Sequence, residues 1–327
     1  MNLQARTIAV TGADGFIGSA LVAALLAAGA TVRAFSGPFH AGSKELPTQA
    51  WHSRADITEL ASLRQAFDGA DTLVHLAGPP SVAHSLRHPL EHARAHVLGT
   101  AAVLQASQDL GIRRMIYLSS AEVYGQTHGT APLTEEQPLA PRSPYAACKI
   151  GAEQLIRASA SCNGLHSIIL RPFSIYGPGM TAASLIGMLM GQLAQRHALS
   201  VHDWRPVRDY CHLDDLVRAV LQSCDADRPM PLTLNIGSGQ GTSVRTLVDT
   251  LLSVAGYQLP LLERPGDRRA HGSDILYLVA DVQRARTALG WAPQISLHDG
   301  LLRLMREADG RNTGGATAPA LLPASTE

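Results

Sequence analysis

The amino-acid sequence predicts an α/β fold in which a doubly wound parallel sheet is followed by a smaller C-terminal α/β lobe. Up to about Arg171, short apolar or β-branched runs alternate with longer segments of helical period, as in successive βαβ units. A glycine-rich turn joins the first strand to the first helix. After Ile175 the elements become shorter and are interrupted by proline. A chain of 327 residues, 46% of them hydrophobic, is long enough for one large domain or two unequal lobes.

The predicted strands are short and rich in β-branched residues. We expect them at Thr7–Thr11, Thr31–Phe35, Trp51–Arg54, Thr72–Leu76, Arg114–Ser119 and His166–Leu170. The first helix has an apolar face from Phe16 to Leu26, and Gly29 is expected to end it as a C-terminal cap. Further helices are predicted at Pro89–Leu110, Tyr145–Cys162 and Leu185–Leu193.

The balance of charge and the cysteine content exclude several functions. The chain has 27 basic and 27 acidic residues, so no nucleic acid is expected as a partner. The first strand begins at Thr7, which leaves no room for a signal peptide, and no apolar run approaches the roughly 18 residues of a membrane helix. We therefore expect a cytoplasmic protein with no membrane partner. The four cysteines lack metal-ligand spacing, and no metal site is predicted.

The turn after the first strand has the spacing Gly-x-x-Gly-x-x-Gly. Gly12, Gly15 and Gly18 let the backbone approach a pyrophosphate, while the following helix, which begins with Phe16 and Ile17, supplies N–H donors and a positive dipole end. Strand, turn and helix together are the context in which this spacing indicates dinucleotide binding. The sequence therefore predicts a Rossmann-type domain.

Composition and texture divide the chain into parts. The Rossmann-type, dinucleotide-binding domain is predicted over residues 1–175, and a segment at about 207–240 is expected to return to it. Residues 176–308 would form mainly the substrate-binding lobe. Residues 309–327 are rich in Gly, Ala, Pro and Thr without periodicity, and we expect them to be a disordered tail.

A Tyr-x-x-x-Lys pair, Tyr145 and Lys149, lies in a predicted helix, where this spacing puts both side chains on one face. A tyrosine with a pKa of about 10 needs roughly 4 kcal/mol of extra phenolate stabilisation to act as a base at neutral pH. A neighbouring ammonium and an oxidised nicotinamide would supply it together. Lys44 and Lys149 are the only lysines among 27 basic residues, so lysine at this spacing indicates that a compact ammonium is needed there.

These motifs resemble those of the short-chain dehydrogenases/reductases, and the resemblance extends from about residue 7 to about residue 305. It is to the extended branch, the NAD-dependent epimerase/dehydratases of nucleotide sugars typified by UDP-galactose 4-epimerase. The further segments that carry the resemblance are His75–Leu90, Arg171–Gly179, Arg208–Asp215, Leu234–Gly239 and Ala288–Trp291.

The resemblance implies a set of cofactor-binding residues. They are Gly12, Gly15, Phe16, Ile17, Gly18, Ser36, Asp56, Ile57, Leu76, Ala77, Gly78, Tyr145, Lys149 and Pro172. NAD is the expected cofactor, and NADP stays open because Ser36 stands where an Asp or Glu favours NAD. Asp56, implied to meet the adenine, has a second interpretation as a helix N-cap before Glu59.

By the same resemblance, Ser120 would hydrogen-bond the substrate oxygen and form a catalytic triad with Tyr145 and Lys149. Glu122 either assists a proton transfer or is a turn acid. Ala121 stands where the similar 4,6-dehydratases have an acid, so dehydration is disfavoured. Substrate contacts are implied for Ser81, Ser120, Ser174, Arg208, Arg264 and Asp267. The last three would hold the diphosphate and nucleoside of a nucleotide sugar, since an arginine fork donates two parallel bonds to phosphate.

Three positions depart from the family pattern. His96 stands in place of an Asn that usually supports the active-site backbone, and Ser174 replaces an Asn that commonly contacts the sugar-nucleotide phosphate. His202–Pro206 stands where a Gly-rich turn usually precedes Arg-Asp. These departures bear on how the substrate is held and on its shape.

The sequence therefore predicts a nucleotide-sugar 4-epimerase. Tyr145 would take the hydroxyl proton as hydride leaves carbon 4 for nicotinamide, the keto sugar would rotate, and hydride would return to its other face. The same site without rotation would be a 4-ketoreductase, which is the main alternative. A dehydratase, a decarboxylase and a non-enzymatic cofactor-binding sensor are the remaining alternatives. We expect a homodimer formed through two helices of the Rossmann domain.

Overall fold

Strands and helices alternate through most of the chain. The computed structural model describes residues 3–38, 42–126, 129–196, 198–226, 231–264 and 275–313. The strands are β1 (Thr7–Thr11), β2 (Thr31–Ser36), β3 (Trp51–Arg54), β4 (Thr72–His75), β5 (Arg114–Leu118), β6 (His166–Pro172), β7 (Ser174–Tyr176), β8 (Leu199–Val201), β9 (Val207–His212), β10 (Leu232–Ile236), β11 (Gly241–Ser243), β12 (Leu261–Glu263) and β13 (Tyr277–Leu278).

The helices follow the strands in the expected places. They are α1 (Phe16–Ala27), α2 (Leu60–Phe67), α3 (Val82–Arg87), α4 (Pro89–Ala93), α5 (Gly99–Asp109), α6 (Pro144–Asn163), α7 (Leu185–Ala194), α8 (Leu213–Asp225), α9 (Val244–Ala255), α10 (Gln283–Leu289) and α11 (Leu297–Thr313). Over the described ranges, every helix is too short or too polar to cross a membrane.

Seven strands form one parallel sheet in the order β10-β6-β5-β4-β1-β2-β3. The strand order reverses between β1 and β4, and doubly wound sheets bind ligands in the crevice at such a point, outside the carboxyl ends of the strands. Thr11 at the end of β1 pairs in register with His75 at the end of β4. The predicted doubly wound, Rossmann-type sheet is therefore confirmed.

Alternate residues of each strand pack on opposite faces of this sheet, as the pleat requires. In β1, Ile8 and Val10 join the core formed with α1 and α8, whereas Ala9 joins the core formed with α2, α5 and α6. The switch to helical period at Phe16 buries Leu21 and Leu25 against the first of these cores. Both faces are covered, which positions the carboxyl ends of the strands as one edge of the molecule.

The second lobe packs α7, α9 and α11 around β8 and β9 in a separate core. Two buried aspartates join its segments. The Asp209 carboxylate accepts the N–H groups of Gly239 (2.9 Å) and Ala280 (3.1 Å). The Asp215 carboxylate accepts those of Gln294 (3.1 Å) and Ile295 (3.0 Å). Asp209 and Asp215 therefore connect these segments through hydrogen bonds to their buried carboxylates.

Three details refine the predicted elements. Gly29 caps α1 as expected, with φ of 86° and its N–H bonded to the Leu26 carbonyl at 2.9 Å. The helix predicted at Pro89–Leu110 is divided into α4, a π-helical turn at Arg94–Leu98, and α5. At the C-terminus, α11 continues to Thr313 and so includes the first residues of the predicted tail. Residues 314–327 of that tail lie outside the described residues.

Candidate functional site

The glycine turn between β1 and α1 has room for a ligand's phosphates only because it lacks side chains. A Cβ on Gly18 would lie 2.1 Å from the Gly12 carbonyl oxygen, and one on Gly12, whose φ is 68°, would lie 3.0 Å from the backbone of Ala77. Gly15 is the N-cap of α1 and brings no side chain to the first N–H groups of the helix. This open, positive helix end fits a pyrophosphate.

A chain of hydrogen bonds fixes the end of β4, where Leu76 and Ala77 are predicted to meet the cofactor. Their N–H groups donate to the Thr11 hydroxyl oxygen at 3.2 and 3.3 Å. That hydroxyl lies 2.7 Å from His75 Nδ1, and His75 Nε2 lies 3.0 Å from the Thr100 hydroxyl. Because Thr100 donates to a backbone carbonyl, His75 Nε2 carries the proton and Nδ1 accepts. Burial lowers the pKa of His75 to about 3, which keeps it neutral.

Ser120, Tyr145 and Lys149 come together at the carboxyl end of β5. Ser143 caps α6, its hydroxyl accepting an N–H at 3.2 Å, so that Tyr145 lies in the first turn of the helix and bonds the Ser120 hydroxyl. One turn later, Lys149 Nζ donates to the Leu118 carbonyl at 2.7 Å and lies 5.9 Å from the Tyr145 ring centroid. The predicted spacing has put both side chains on one buried face.

The charges of this triad differ from the simple expectation that the ammonium lowers the tyrosine pKa. Burial raises the pKa of Tyr145 to about 12; the hydrogen bond with Ser120 opposes this rise and the Glu122 carboxylate adds to it. Burial also lowers the pKa of Lys149 to about 7, although the Glu153 carboxylate opposes that change. A tyrosinate at neutral pH therefore needs a further positive charge, as an oxidised nicotinamide would supply.

Glu122 lies in a 3₁₀ turn, Ala121–Tyr124, directly after Ser120. The Glu122 N–H donates to the Ser120 hydroxyl oxygen at 3.2 Å, so Ser120 caps this turn while it also bonds Tyr145. The turn therefore fixes Ser120, and both interpretations of Glu122, proton transfer and turn acid, stay open.

A buried ion pair that we did not predict stabilises α6, the helix that carries Tyr145 and Lys149. Arg171 at the end of β6 donates to both oxygens of Glu153, at 3.0 and 2.6 Å, and Ser119 donates to the same carboxylate at 2.5 Å. Burial disfavours the charged Glu153, but Arg171 and Ser119 hold its pKa below the ordinary value. Glu153 lies one helical turn after Lys149 on the same face, and this spacing was the signal that could have found it.

His96 takes the place of the usual Asn and holds the loop after β4. It lies in the π-helical turn, and a Cβ on Gly78 would be 2.2 Å from its ring. Its Nε2 donates to the Pro79 carbonyl at 3.0 Å. Burial lowers the pKa of His96 to about 2, so the ring is neutral. The His96 ring centroid is 5.5 Å from the Tyr145 ring centroid. The ring of His92, a residue that sequence reasoning missed, also contacts Tyr145, with its centroid 6.0 Å from that of Tyr145.

The end of β2, where the cofactor ribose is predicted, has a hydroxyl and a paired arginine. Ser36 is buried and lies 3.0 Å from His52 Nε2. Arg54 at the end of β3 binds Asp14 of the glycine turn at 2.7 Å and donates to the Gly37 carbonyl at 3.1 Å. Asp14 therefore brings a carboxylate to this end of β2, and Arg54 balances its charge.

On the predicted adenine side, Asp56 is engaged in a local turn. Its carboxylate accepts the Thr58 N–H at 2.9 Å and hydroxyl at 2.6 Å, and these bonds hold the pKa of Asp56 below its ordinary value. Helix α2 takes Glu59 as its N-cap, so the interpretation of Asp56 as that cap is wrong. Ile57 packs closely on Gly99, where a Cβ would lie 2.7 Å from it.

The predicted substrate residues are spread over several elements. Ser81 caps α3, its hydroxyl accepting the His84 N–H at 3.1 Å. Pro172 is buried at the end of β6, and Ser174, which begins β7, is half-buried. These positions follow the same sheet edge as the triad.

The two arginines predicted to bind the diphosphate belong to the second lobe. Arg208 is half-buried on β9 and donates to the Val207 carbonyl at 3.1 Å. Arg264 follows β12, is exposed, and donates its backbone N–H to the Val201 carbonyl at 2.8 Å. Asp267 lies outside the described residues.

Residues 8–237 match the model of the NAD dependent epimerase/dehydratase family. The protein is a member of this family. Its members include a UDP-glucose 4-epimerase of Streptomyces lividans, 34% identical over 87% of this chain and 90% of that protein. A GDP-6-deoxy-D-mannose reductase of Pseudomonas aeruginosa is 30% identical over 92% of this chain and 97% of that protein.

Two solved structures of family members have the same fold. A UDP-glucose 4-epimerase of Thermotoga maritima with UDP-glucose superimposes with a TM-score of 0.85 at 28% identity, covering 92% of this chain and 99% of that chain. A dTDP-glucose 4,6-dehydratase of Streptomyces venezuelae with NAD bound gives a TM-score of 0.84 at 29% identity, covering 94% and 98%. This protein is therefore an enzyme of the nucleotide-sugar epimerase/dehydratase family.

Proposed function

We propose that this protein is an NAD-dependent nucleotide-sugar 4-epimerase whose acid and base is Tyr145. The observation that carries the proposal is the triad: the Tyr145 hydroxyl bonds Ser120, and Lys149 follows on the same buried helix face. Ala121 beside it has no acidic group, which disfavours the elimination of water. Relatives at similar identity include an epimerase and a reductase, so the choice between them rests on chemistry at this site.

The residues present fit a bound dinucleotide. The glycine turn would hold the pyrophosphate, the fixed Leu76 and Ala77 backbone would face the ring system, and Lys149 would reach the ribose while it stays bonded to the Leu118 carbonyl. A family member was solved with NAD bound. Bound NAD would supply the hydride acceptor and donor for carbon 4 of the sugar and a positive charge beside Tyr145.

Each side chain of the triad has one role. Ser120 would orient the 4-hydroxyl by hydrogen bonding, and Tyr145 would take its proton and later give it back. Lys149 would stabilise the phenolate and hold the ribose. Arg208 and Arg264 would bind the diphosphate in the second lobe. We place this lobe at residues 176–308, and the segment at about 207–240 would be shared with the Rossmann domain.

An isotope experiment tests the reaction. The purified enzyme is incubated with a UDP-sugar carrying deuterium at carbon 4 and with a trace of NAD, and the products are analysed by NMR. We expect the C4 epimer with deuterium still at carbon 4 and no net change in the nicotinamide, because the hydride returns to the same carbon. Loss of water from the sugar, or no reaction with any of a panel of UDP-, dTDP- and GDP-sugars, would contradict the proposal.

A 4-ketoreductase is the second candidate, and the end of β2 favours it. Ser36 offers a hydroxyl where a carboxylate would repel a 2′-phosphate, and Arg54 lies beside it, so NADPH would be accepted. The family also includes a reductase at 30% identity. This activity predicts stoichiometric consumption of NADPH with a 4-keto nucleotide sugar and no epimerisation in the isotope experiment.

We also propose a homodimer formed by α5 and α6. Leu98, just before α5, is 60% exposed, and Ala101 and Gln105 continue the same outer face. On α6, Ala147 and Ala158 are exposed in the same way. A face on two adjacent helices that carries small, apolar and uncharged polar residues suits a second copy of the chain. Light scattering should give a dimer, and Leu98→Glu should give a monomer.

A further inference from the structure

Four histidines recur at intervals of four residues between the end of β4 and α5. They are His84, His88, His92 and His96. The first two lie nearer the surface, with His84 half-buried and His88 exposed. His92 and His96 are buried. The proposed reaction uses none of the first three. The prediction of no metal site rests on the cysteines, and these histidines meet only because α3 ends and α4 begins at His88.

The outer end of this row gathers three side chains with metal-binding atoms. The donor atoms of His84, His88 and Glu91 all lie within 4.8 Å of one another, in the part of the chain that the structure describes. His84 Nε2 is 3.4 Å from a Glu91 carboxylate oxygen. The rings of His84 and His88 are stacked with centroids 4.4 Å apart. The backbone turn is fixed by the Ser81 cap and by the His88 N–H, which donates to the His84 carbonyl at 2.9 Å.

We propose that His84, His88 and Glu91 form a binding site for a divalent transition-metal ion, with Zn²⁺ the best match. Two imidazoles and one carboxylate are a ligand set that zinc takes in proteins, with a fourth position left for water. Metal–ligand bonds of about 2.0–2.2 Å would draw the three donors closer than they now lie. The exposed side chains of His88 and Glu91 are free to make that adjustment.

The buried His92 holds His84 in the orientation that such a site requires. His84 Nδ1 is 3.2 Å from His92 Nε2, which leaves Nε2 of His84 facing Glu91. Metal-bound histidines commonly donate their second ring N–H to a partner that fixes tautomer and orientation. With Zn²⁺ on His84 Nε2, His84 Nδ1 donates to His92, and His92 must then carry its own proton on Nδ1. His92 also packs on the Tyr145 ring, so it connects the proposed metal site to α6, the proposed catalytic helix.

Calorimetric titration of the full chain with ZnCl₂, after removal of any affinity tag and treatment with chelator, tests the site. We expect one binding event per chain that is lost in His84→Ala and Glu91→Ala and strongly weakened in His88→Ala. Co²⁺ in place of Zn²⁺ should give visible absorption without the near-ultraviolet band of a thiolate ligand. His298→Ala is the matched control, since His298 pairs with one carboxylate, Asp299, at 3.6 Å and belongs to no such three-residue group within the described part of the chain.

Equal zinc affinity in wild type and Glu91→Ala, or no zinc binding at all, would overturn the proposal and leave His84 and Glu91 as a side-chain contact without a metal. The positioning role of His92 has its own test. His92→Leu should weaken zinc binding by roughly 10- to 100-fold, whereas His92→Gln, which keeps an acceptor, should restore most of it. Because metal binding is measured without substrate, these results do not depend on whether the enzyme is an epimerase.

Discussion

The two halves of the proposed site differ in how firmly their residues are held. In the Rossmann half, Tyr145 and Lys149 are 7% and 4% exposed and are bonded to Ser120 and to the Leu118 carbonyl. In the second lobe, Arg264 is exposed, and the buried charges there brace the backbone. The catalytic groups are therefore preorganised at the sheet edge, whereas of the two proposed diphosphate ligands Arg208 is only half-buried and Arg264 is exposed. Proton transfer requires this fixed geometry more than phosphate binding does.

The largest effect is expected on the rigid side. Tyr145→Phe removes the proton-transferring oxygen from an otherwise similar ring, and turnover should fall by at least about 100-fold while cofactor affinity stays near that of the wild type. Steady-state kinetics and dinucleotide titration measure the two quantities. Tyr117→Phe is the control, because Tyr117 is also buried and its hydroxyl has no hydrogen-bond partner among the described residues. Unimpaired turnover in Tyr145→Phe would remove the basis of the comparison.

In the second lobe, Arg208→Ala and Arg264→Ala should each weaken nucleoside diphosphate binding by about 1.5–3 kcal/mol, the contribution of a hydrogen bond to a charged group. Dinucleotide binding should change little. Calorimetric titration with UDP and with NAD compares the two. Arg205→Ala serves as control, since Arg205 is exposed and paired with Asp203 at 3.0 Å. If both arginine variants bind UDP as tightly as the wild type, the substrate is not gripped through a diphosphate in this lobe.

The stability of the protein in acid tests whether the fold holds His96 neutral. The folded pKa of His96, about 2, lies below the ordinary value of 6.5, so its stabilising effect is complete above pH 6.5 and is lost as pH falls toward the folded pKa. The free-energy advantage of wild type over His96→Asn should therefore shrink by about 1.4 kcal/mol for each pH unit below 6.5. Denaturant unfolding at several pH values between about 4.5 and 7.5, a range of roughly three units, measures this difference in free energy.

His166→Asn provides the reference for that series, because His166 is exposed. The same unfolding series on this variant shows how much of the pH dependence comes from replacing an exposed histidine. A His96→Asn difference that does not vary with pH would mean that His96 is not held neutral against Pro79.

The smallest effect concerns cofactor choice. Ser36→Asp should shift the ratio of NAD to NADP dissociation constants toward NAD by roughly tenfold or more, because the carboxylate accepts from a ribose hydroxyl and repels a 2′-phosphate. Ser36→Asn, which is similar in size but neutral, separates charge from shape. An unchanged ratio in Ser36→Asp would indicate that the ribose lies away from the end of β2.

Local sequence pattern predicted the parts of the molecule that depend on chain neighbours. The six strands predicted before Arg171 lie within two residues of those observed, and Gly29 caps α1 as expected. The Tyr145 and Lys149 pair shares one helix face because spacing along a helix fixes direction. For Asp56, the alternative interpretation as a helix cap was wrong, since its side chain closes a turn with Thr58 and Glu59 is the N-cap of α2. Its contact with the adenine stays a prediction.

Tertiary structure alone decided the features that depend on distant residues. His96 meets Gly78 and Pro79 through the π-helical turn, and Arg171 reaches Glu153 across 18 positions of sequence. The pKa of Tyr145 rises because burial removes water, a property that no spacing encodes. The sequence by itself thus determined the order of the elements and the chemical groups on each helix face, since periodicity sets both. Which groups are buried, paired or neutral followed only from packing, because solvation and long-range contacts depend on the whole fold.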